Sequence, residues 1–89
     1  MYHHLRGTLE SRQPTEAVVD VGGVGYSLTI PLSSFEALPV RGEPVTLYTH
    51  LHVREDVLRL YGFATPDERR FFRRLLEVTG IGPAVALSI

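Results

Sequence analysis

VTLYTHLHVREDVLRLYGF, residues 45–63, alternates apolar and polar positions in two successive runs. Val45, Leu47, Thr49, Leu51 and Val53 share one face of a first strand, and Val57–Phe63 alternates again. A period of two over runs of this length predicts two half-buried strands. Between them stand two adjacent carboxylates, Glu55 and Asp56. Three roles are open to that pair: a solvated turn, a metal-binding pair, or a charge aimed at a partner.

Toward the N-terminus the same signature repeats. Leu5–Arg12 (LRGTLESR) predicts a strand that ends at Gln13-Pro14-Thr15. Glu16–Val21 (EAVVDV) and Val24–Ile30 (VGYSLTI) predict two more, joined through Gly22-Gly23. Pro31–Leu38 reads as a short helical turn between prolines, and Arg41-Gly42-Glu43-Pro44 as a turn. Five short strands with one helix between the third and fourth predict a mainly β, five-stranded OB-fold barrel. A half-open sandwich is the competing arrangement.

Beyond Ala64 the period changes. Thr65 as N-cap, Pro66 at the first helical position and Glu68 three residues on form a capping-box start. Asp67–Val78 then predicts a helix whose apolar stripe holds Phe71, Leu75 and Val78, widened by Phe72 and Leu76. Arg69, Arg70, Arg73 and Arg74 fall on the remainder, which reads either as a solvated face on which Asp67, Glu68 and Glu77 can pair with some of them or as a basic face beside DNA. The boundary therefore falls near Ala64, with 1–63 as the barrel domain and 64–89 as the start of a helical one.

Composition narrows the chemistry. The chain has 89 residues and no cysteine, which rules out disulfides, thiolate nucleophiles and sulfur-ligated zinc. All nine basic residues are arginine, so there is no lysine for a Schiff base or a phosphate loop. Residues 1–63 hold five arginines against seven acids; residues 64–89 hold four against three. No apolar run reaches membrane-spanning length, and the first residues lack a signal peptide's apolar stretch.

VTGIGPAVALSI, residues 78–89, predicts a turn through Thr79, Gly80, Ile81, Gly82 and Pro83 into a second helix. Gly80 and Gly82 permit positive φ and close backbone approach, and their amides face an anion with those of the helix start. Ile81 plugs the space between the helices, Ala86 lets them approach, and Ile89 packs back. This is a helix-hairpin-helix pattern, which grips phosphates and reads no bases. Gly22-Gly23-Val24-Gly25, in contrast, joins strand to strand, whereas a dinucleotide fingerprint opens a helix.

His50 and His52 lie at i, i+2, and His3 and His4 are adjacent. With Glu55 and Asp56 they raise an enzymatic alternative, a metal-dependent nuclease. Adjacent strand residues point to opposite faces, so Glu55 and Asp56 converge only at an irregular tip. A polar strand face is the plainer reading, with no catalytic residue, metal or cofactor. A third alternative is a plain oligomerisation module.

Four motifs in order, LRG, VDVGGVGY, THLHVREDVLRLYGF and TGIGPAVAL, span the chain. Together they resemble the RuvA family, the Holliday-junction-binding subunits of the bacterial branch-migration machine. The resemblance implies an OB-fold domain followed by a helical domain with two helix-hairpin-helix motifs. It also implies a non-catalytic role in recombination, DNA repair and the SOS response, in the cytoplasm and away from membranes.

The partners it implies are four-way junction DNA, further copies in a homotetramer or octamer, and a RuvB-type hexameric ATPase motor reached through a C-terminal domain. A RuvC-type resolvase is a further implied partner. An acidic pin at the centre of the tetrameric plate falls on Glu55 and Asp56, flanked by Arg54 and Arg59 as candidate phosphate contacts. There are two departures. The chain stops at Ile89 and so reads as an N-terminal fragment, and Ala84 stands where a basic residue is expected.

Overall fold

The computed structural model describes residues 2–89. Its strands are β1 (His4–Gln13), β2 (Glu16–Val21), β3 (Val24–Thr29), β4 (Pro44–Arg54) and β5 (Val57–Phe63). Its helices are α1 (Leu32–Glu36), α2 (Pro66–Leu76) and α3 (Pro83–Ser88). The strands close in the order β1-β2-β3-β5-β4, so the barrel prevails over the half-open sandwich. All pairs are antiparallel except β3–β5, which joins in parallel at Thr29 and Tyr61. This is the five-stranded OB-fold, with α1 between the third and fourth strands.

β1 makes the closure possible. Its first half pairs with β4 and its second with β2, and the register shifts between Leu9 and Ser11. Such a bulge bends a strand and lets it serve two neighbours. The β2–β3 connection is a tight turn with Gly22 at φ 60° and Gly23 at φ 93°, values open to glycine at little cost. Asp20 Oδ1 accepts the Gly23 N–H at 2.9 Å, which ties the turn to its own strand.

The barrel is filled by the inward faces of all five strands. Leu9, Ala17, Val19, Leu28 and Leu47 are fully buried, with Leu5, Ile30 and Val45 beside them. Leu38, just after α1, is buried in the same core.

A second cluster forms on the outside of the barrel wall. Tyr61 and Phe63 of β5 meet Phe72 of α2 and Ala86 of α3, with Leu75, Leu76, Ile81 and Leu87 around them. Phe72 stacks at 5.2 Å from Tyr61 and 5.0 Å from Phe63. The apolar stripe of α2 is therefore rotated from the sequence expectation. Phe72 is 2% exposed, whereas Phe71 and Val78 are exposed. The physical reason is the position of the wall: α2 lies where Tyr61 and Phe63 need cover, and that selects the Phe72 side.

The α2 start is as expected. Thr65 Oγ1 accepts the Glu68 N–H at 3.1 Å, with Pro66 at the first helical position. Glu68 also accepts from Ser33 Oγ at 2.6 Å and Ser34 Oγ at 3.0 Å. Ser34 Oγ, itself buried, accepts the Ala64 N–H at 3.0 Å. The cap thus doubles as a clasp between α1 and α2.

Candidate nucleic-acid interface

The β4–β5 pair runs out past the barrel as a two-stranded ribbon. Arg54 pairs with Val57, which leaves Glu55 and Asp56 as a two-residue turn, both exposed. As turn residues they escape the strict alternation of a strand.

The pairing register divides the ribbon into two faces. Leu51 lies opposite Leu60, and Val53 opposite Leu58, on the face that continues the barrel interior. His52 opposite Arg59, and Arg54 opposite Val57, share the other face with His50 and Tyr61. Val53 shares the face of Val45, Leu47 and Leu51 as expected, yet it is 62% exposed, and Leu58 opposite it is 74% exposed. The alternation persists beyond the point where the barrel ends, so the apolar face emerges into the open.

Phe72 and Arg73 of α2 pack on His50, so the helical unit lies on the ribbon face that carries Arg54 and Arg59. Basic ribbon face and helical hairpin are on the same side of the molecule.

In the hairpin, Gly80 adopts φ 88°, as its turn requires. Gly82 does not: at φ −93° and ψ 177° it is an ordinary extended N-cap of α3. A Cβ placed on Gly82 would meet nothing within 4 Å. The space over Gly82 is open, and its backbone conformation does not itself require glycine.

The Ile81 N–H donates to Val78 O at 3.1 Å and is not free for an anion. The Gly80 and Gly82 amides have no acceptor among the described residues. Ile81 packs into the second cluster and Ala86 is 4% exposed, as expected of an inter-helix plug and a close approach. Ile89, expected to pack back, is exposed. Thr79 and Pro83 flank the glycines, Pro83 as the first residue of α3.

The four arginines of α2 split into two kinds. Arg70, paired with Asp67, and Arg74 are exposed on the open side, as a solvated face should be. Arg69 and Arg73 instead turn to the barrel, against the expectation of a wholly solvated set. Arg69 Nη1 donates to His3 O at 2.7 Å, and Arg73 Nε donates to His50 Nδ1 at 3.1 Å. Both guanidinium groups also reach Thr49 O at 3.4 Å. These partners lie 20 to 66 residues away in sequence, and no local pattern signals them.

The histidines do not gather with the carboxylates. His3 and His4 approach each other through Nδ1 at 2.9 Å, and His50 Nδ1 is engaged by Arg73. Among the described residues no group of three or more His, Asp or Glu could hold a metal ion, so the nuclease alternative has no ligand set there. No helix among them is long and apolar enough to cross a membrane.

Comparison with known proteins places these features in a family. The family described as "RuvA N terminal domain" matches residues 1–62. A "Holliday junction branch migration complex subunit RuvA" from Leptothrix cholodnii is 54% identical over 89 residues, covering all of this chain and 47% of that protein. Proteins of the same description from Chromobacterium violaceum and Stutzerimonas stutzeri are 52% and 49% identical over the whole chain, which covers 45% and 44% of them. The chain thus spans a little under half the length of these relatives. Barrel, ribbon and helical unit together belong to a member of the RuvA family.

Proposed function

We propose that this chain binds four-way DNA junctions by their shape, as the non-catalytic DNA-binding part of a branch-migration complex. The observation that carries the reading is the ribbon. It projects two carboxylates, Glu55 and Asp56, beyond a face bearing Arg54 and Arg59, on the same side as the helical hairpin. Residues 1–63 act as the OB-fold unit and residues 64–89 as the first hairpin of a helical one. The motor activity belongs to a RuvB-type ATPase partner, and a RuvC-type resolvase is a further one, all in the cytoplasm.

The division of labour follows from charge. Thr79, Gly80, Ile81, Gly82 and Pro83 approach the backbone of a duplex arm, where the Gly80 and Gly82 amides donate to a phosphate. Arg54 and Arg59 add cationic contacts along the ribbon. In a homotetramer, or two facing as an octamer, the tips meet at the crossover and bring roughly eight carboxylates per plate together. Phosphates that approach the axis are repelled, so strands are kept apart where the arms cross.

Two tests follow. Neutralising the tip with Glu55→Gln and Asp56→Asn is expected to tighten duplex binding by roughly tenfold, about 1.4 kcal/mol, and to relax junction preference. Unchanged affinity and preference in a tetrameric preparation would remove the pair from this role. Gly82→Val is the cleaner hairpin test, because a Cβ there has no protein atom within 4 Å and the branch acts on whatever approaches from outside. Losing one hydrogen bond to a charged group costs about 1.5–3 kcal/mol, roughly a tenfold to hundredfold loss of duplex affinity. Equal binding by the folded variant would remove Gly82 from the contact.

A further inference from the structure

The helical unit is held against the barrel by two kinds of force. The Phe72 cluster is apolar, and hydrophobic burial has no preferred direction. It turns the Phe72 face of α2 to the wall without fixing the angle at which the helix lies across it. Hydrogen bonds are directional, and those across this junction include the ones made by Arg69 and Arg73.

Their acceptors form one compact hub. Thr49 is fully buried, its N–H donates to His3 O at 3.1 Å, and its Oγ1 donates to Tyr2 O at 2.7 Å. The segment leading into β1 and the middle of β4 are thereby strapped together, and both arginines bind across the strap. Arg69 also brings Nη2 to 3.3 Å from His3 Nε2 and stacks over Tyr48 at 5.8 Å. A guanidinium has donors only, so His50 Nδ1 and His3 Nε2 must both be acceptors. Neither nitrogen can carry a proton while the contact exists.

We infer that Arg69 and Arg73 are positioning residues that set the angle between the helical hairpin and the β4–β5 ribbon, through a clamp that requires neutral imidazoles at His3 and His50. The clamp rests on the proposed function only in its consequence: a fixed angle lets hairpin and tip engage one junction together. Its geometry can be tested without DNA.

The charges around the clamp set its response to pH. His50 faces Arg73 and Arg69 from α2, His52 from its own strand and Tyr61 from β5. Its pKa is held below the ordinary value, first by burial and then by Arg73. His3 faces Arg69, Arg73, His4 and Tyr48, and its pKa is also lowered, by desolvation first and then by Arg69. A base with a lowered folded pKa binds fewer protons folded than unfolded. The clamp's contribution is therefore complete above the unfolded value of about 6.5 and is lost as pH falls through the folded values.

The test uses two introduced cysteines in a chain that has none of its own. Val57→Cys on the ribbon and Val78→Cys just past the end of α2, both at exposed positions, take spin labels, and labelled chains are diluted into unlabelled ones. At about pH 8 one narrow distance distribution is expected, and a second, broader population grows in as pH is lowered stepwise from about 6.5 through the depressed folded values. Arg73→Lys, which keeps the charge but loses the guanidinium fork, should show the broad population at every pH. His50→Gln, an acceptor that does not titrate, should markedly weaken the pH response. An unchanged distribution in Arg73→Lys and across pH would overturn the clamp. Loss of junction binding by Arg73→Lys with unchanged distances would also overturn it, because Arg73 would then be acting as a phosphate contact.

Discussion

Phe72→Ala is expected to cost about 3–5 kcal/mol, the usual range for truncating a buried aromatic side chain. Phe72 is 2% exposed and stacks on both Tyr61 and Phe63, so its removal opens a cavity in the cluster that joins the helices to the barrel. A domain of this size has a stability of about 5–15 kcal/mol, so the variant is left marginal. Phe71→Ala removes an equal volume from a ring that is 53% exposed and should change stability by less than about 1 kcal/mol. Chemical denaturation of the two variants side by side checks this. Equal losses would mean that α2 packs through a different face.

The second large effect is expected at Gly7. A Cβ there would collide with the carbonyl oxygen of Asp20, a backbone atom of the neighbouring strand. Gly7 pairs with Val45 of β4 just where β1 begins to serve β2 as well. Neither strand can retreat without opening the closed barrel. Gly7→Ala should therefore cost at least the 1–3 kcal/mol typical of overpacking, and lower the melting temperature by roughly 4–8 °C for each kcal/mol. Gly25→Ala is the control: its Cβ meets only a Val18 methyl at 3.5 Å, and a small change is expected.

These two positions also mark what local sequence can and cannot carry. Strand edges at Glu16–Val21 and Val57–Phe63 were legible because alternation and glycine turns are local signals. The α2 start was legible for the same reason, since Thr65, Pro66 and Glu68 meet within one turn. The rotation of α2 was not. Phe71, Phe72, Leu75, Leu76 and Val78 offer two overlapping stripes, and only the location of Tyr61 and Phe63 chooses between them. Arg69 and Arg73 read as solvated for a like reason, because His3, Thr49 and His50 are distant in the chain.

The candidate interface divides in the same way. The turn at Glu55-Asp56 follows from the break in alternation, and the hairpin from Gly80 with its flanking residues. Which of the two glycines uses the freedom of positive φ needed the dihedral angles: Gly80 does, and Gly82 is an extended N-cap. The continuation of the apolar ribbon face past the barrel needed the register, since Val53 looks identical in sequence to its buried neighbours Val45 and Leu47.

The central claim is that this chain selects four-way junctions by shape while gripping phosphate. Competition between a synthetic four-way junction and linear duplex of the same arm sequence, across a salt series, tests it most directly. Phosphate-dominated binding weakens with a slope of about −0.9 per neutralised phosphate on a logarithmic salt axis. The account predicts clear junction preference at every salt concentration, with a steep slope for both DNAs. Weak, salt-insensitive binding with no preference for the junction would contradict it.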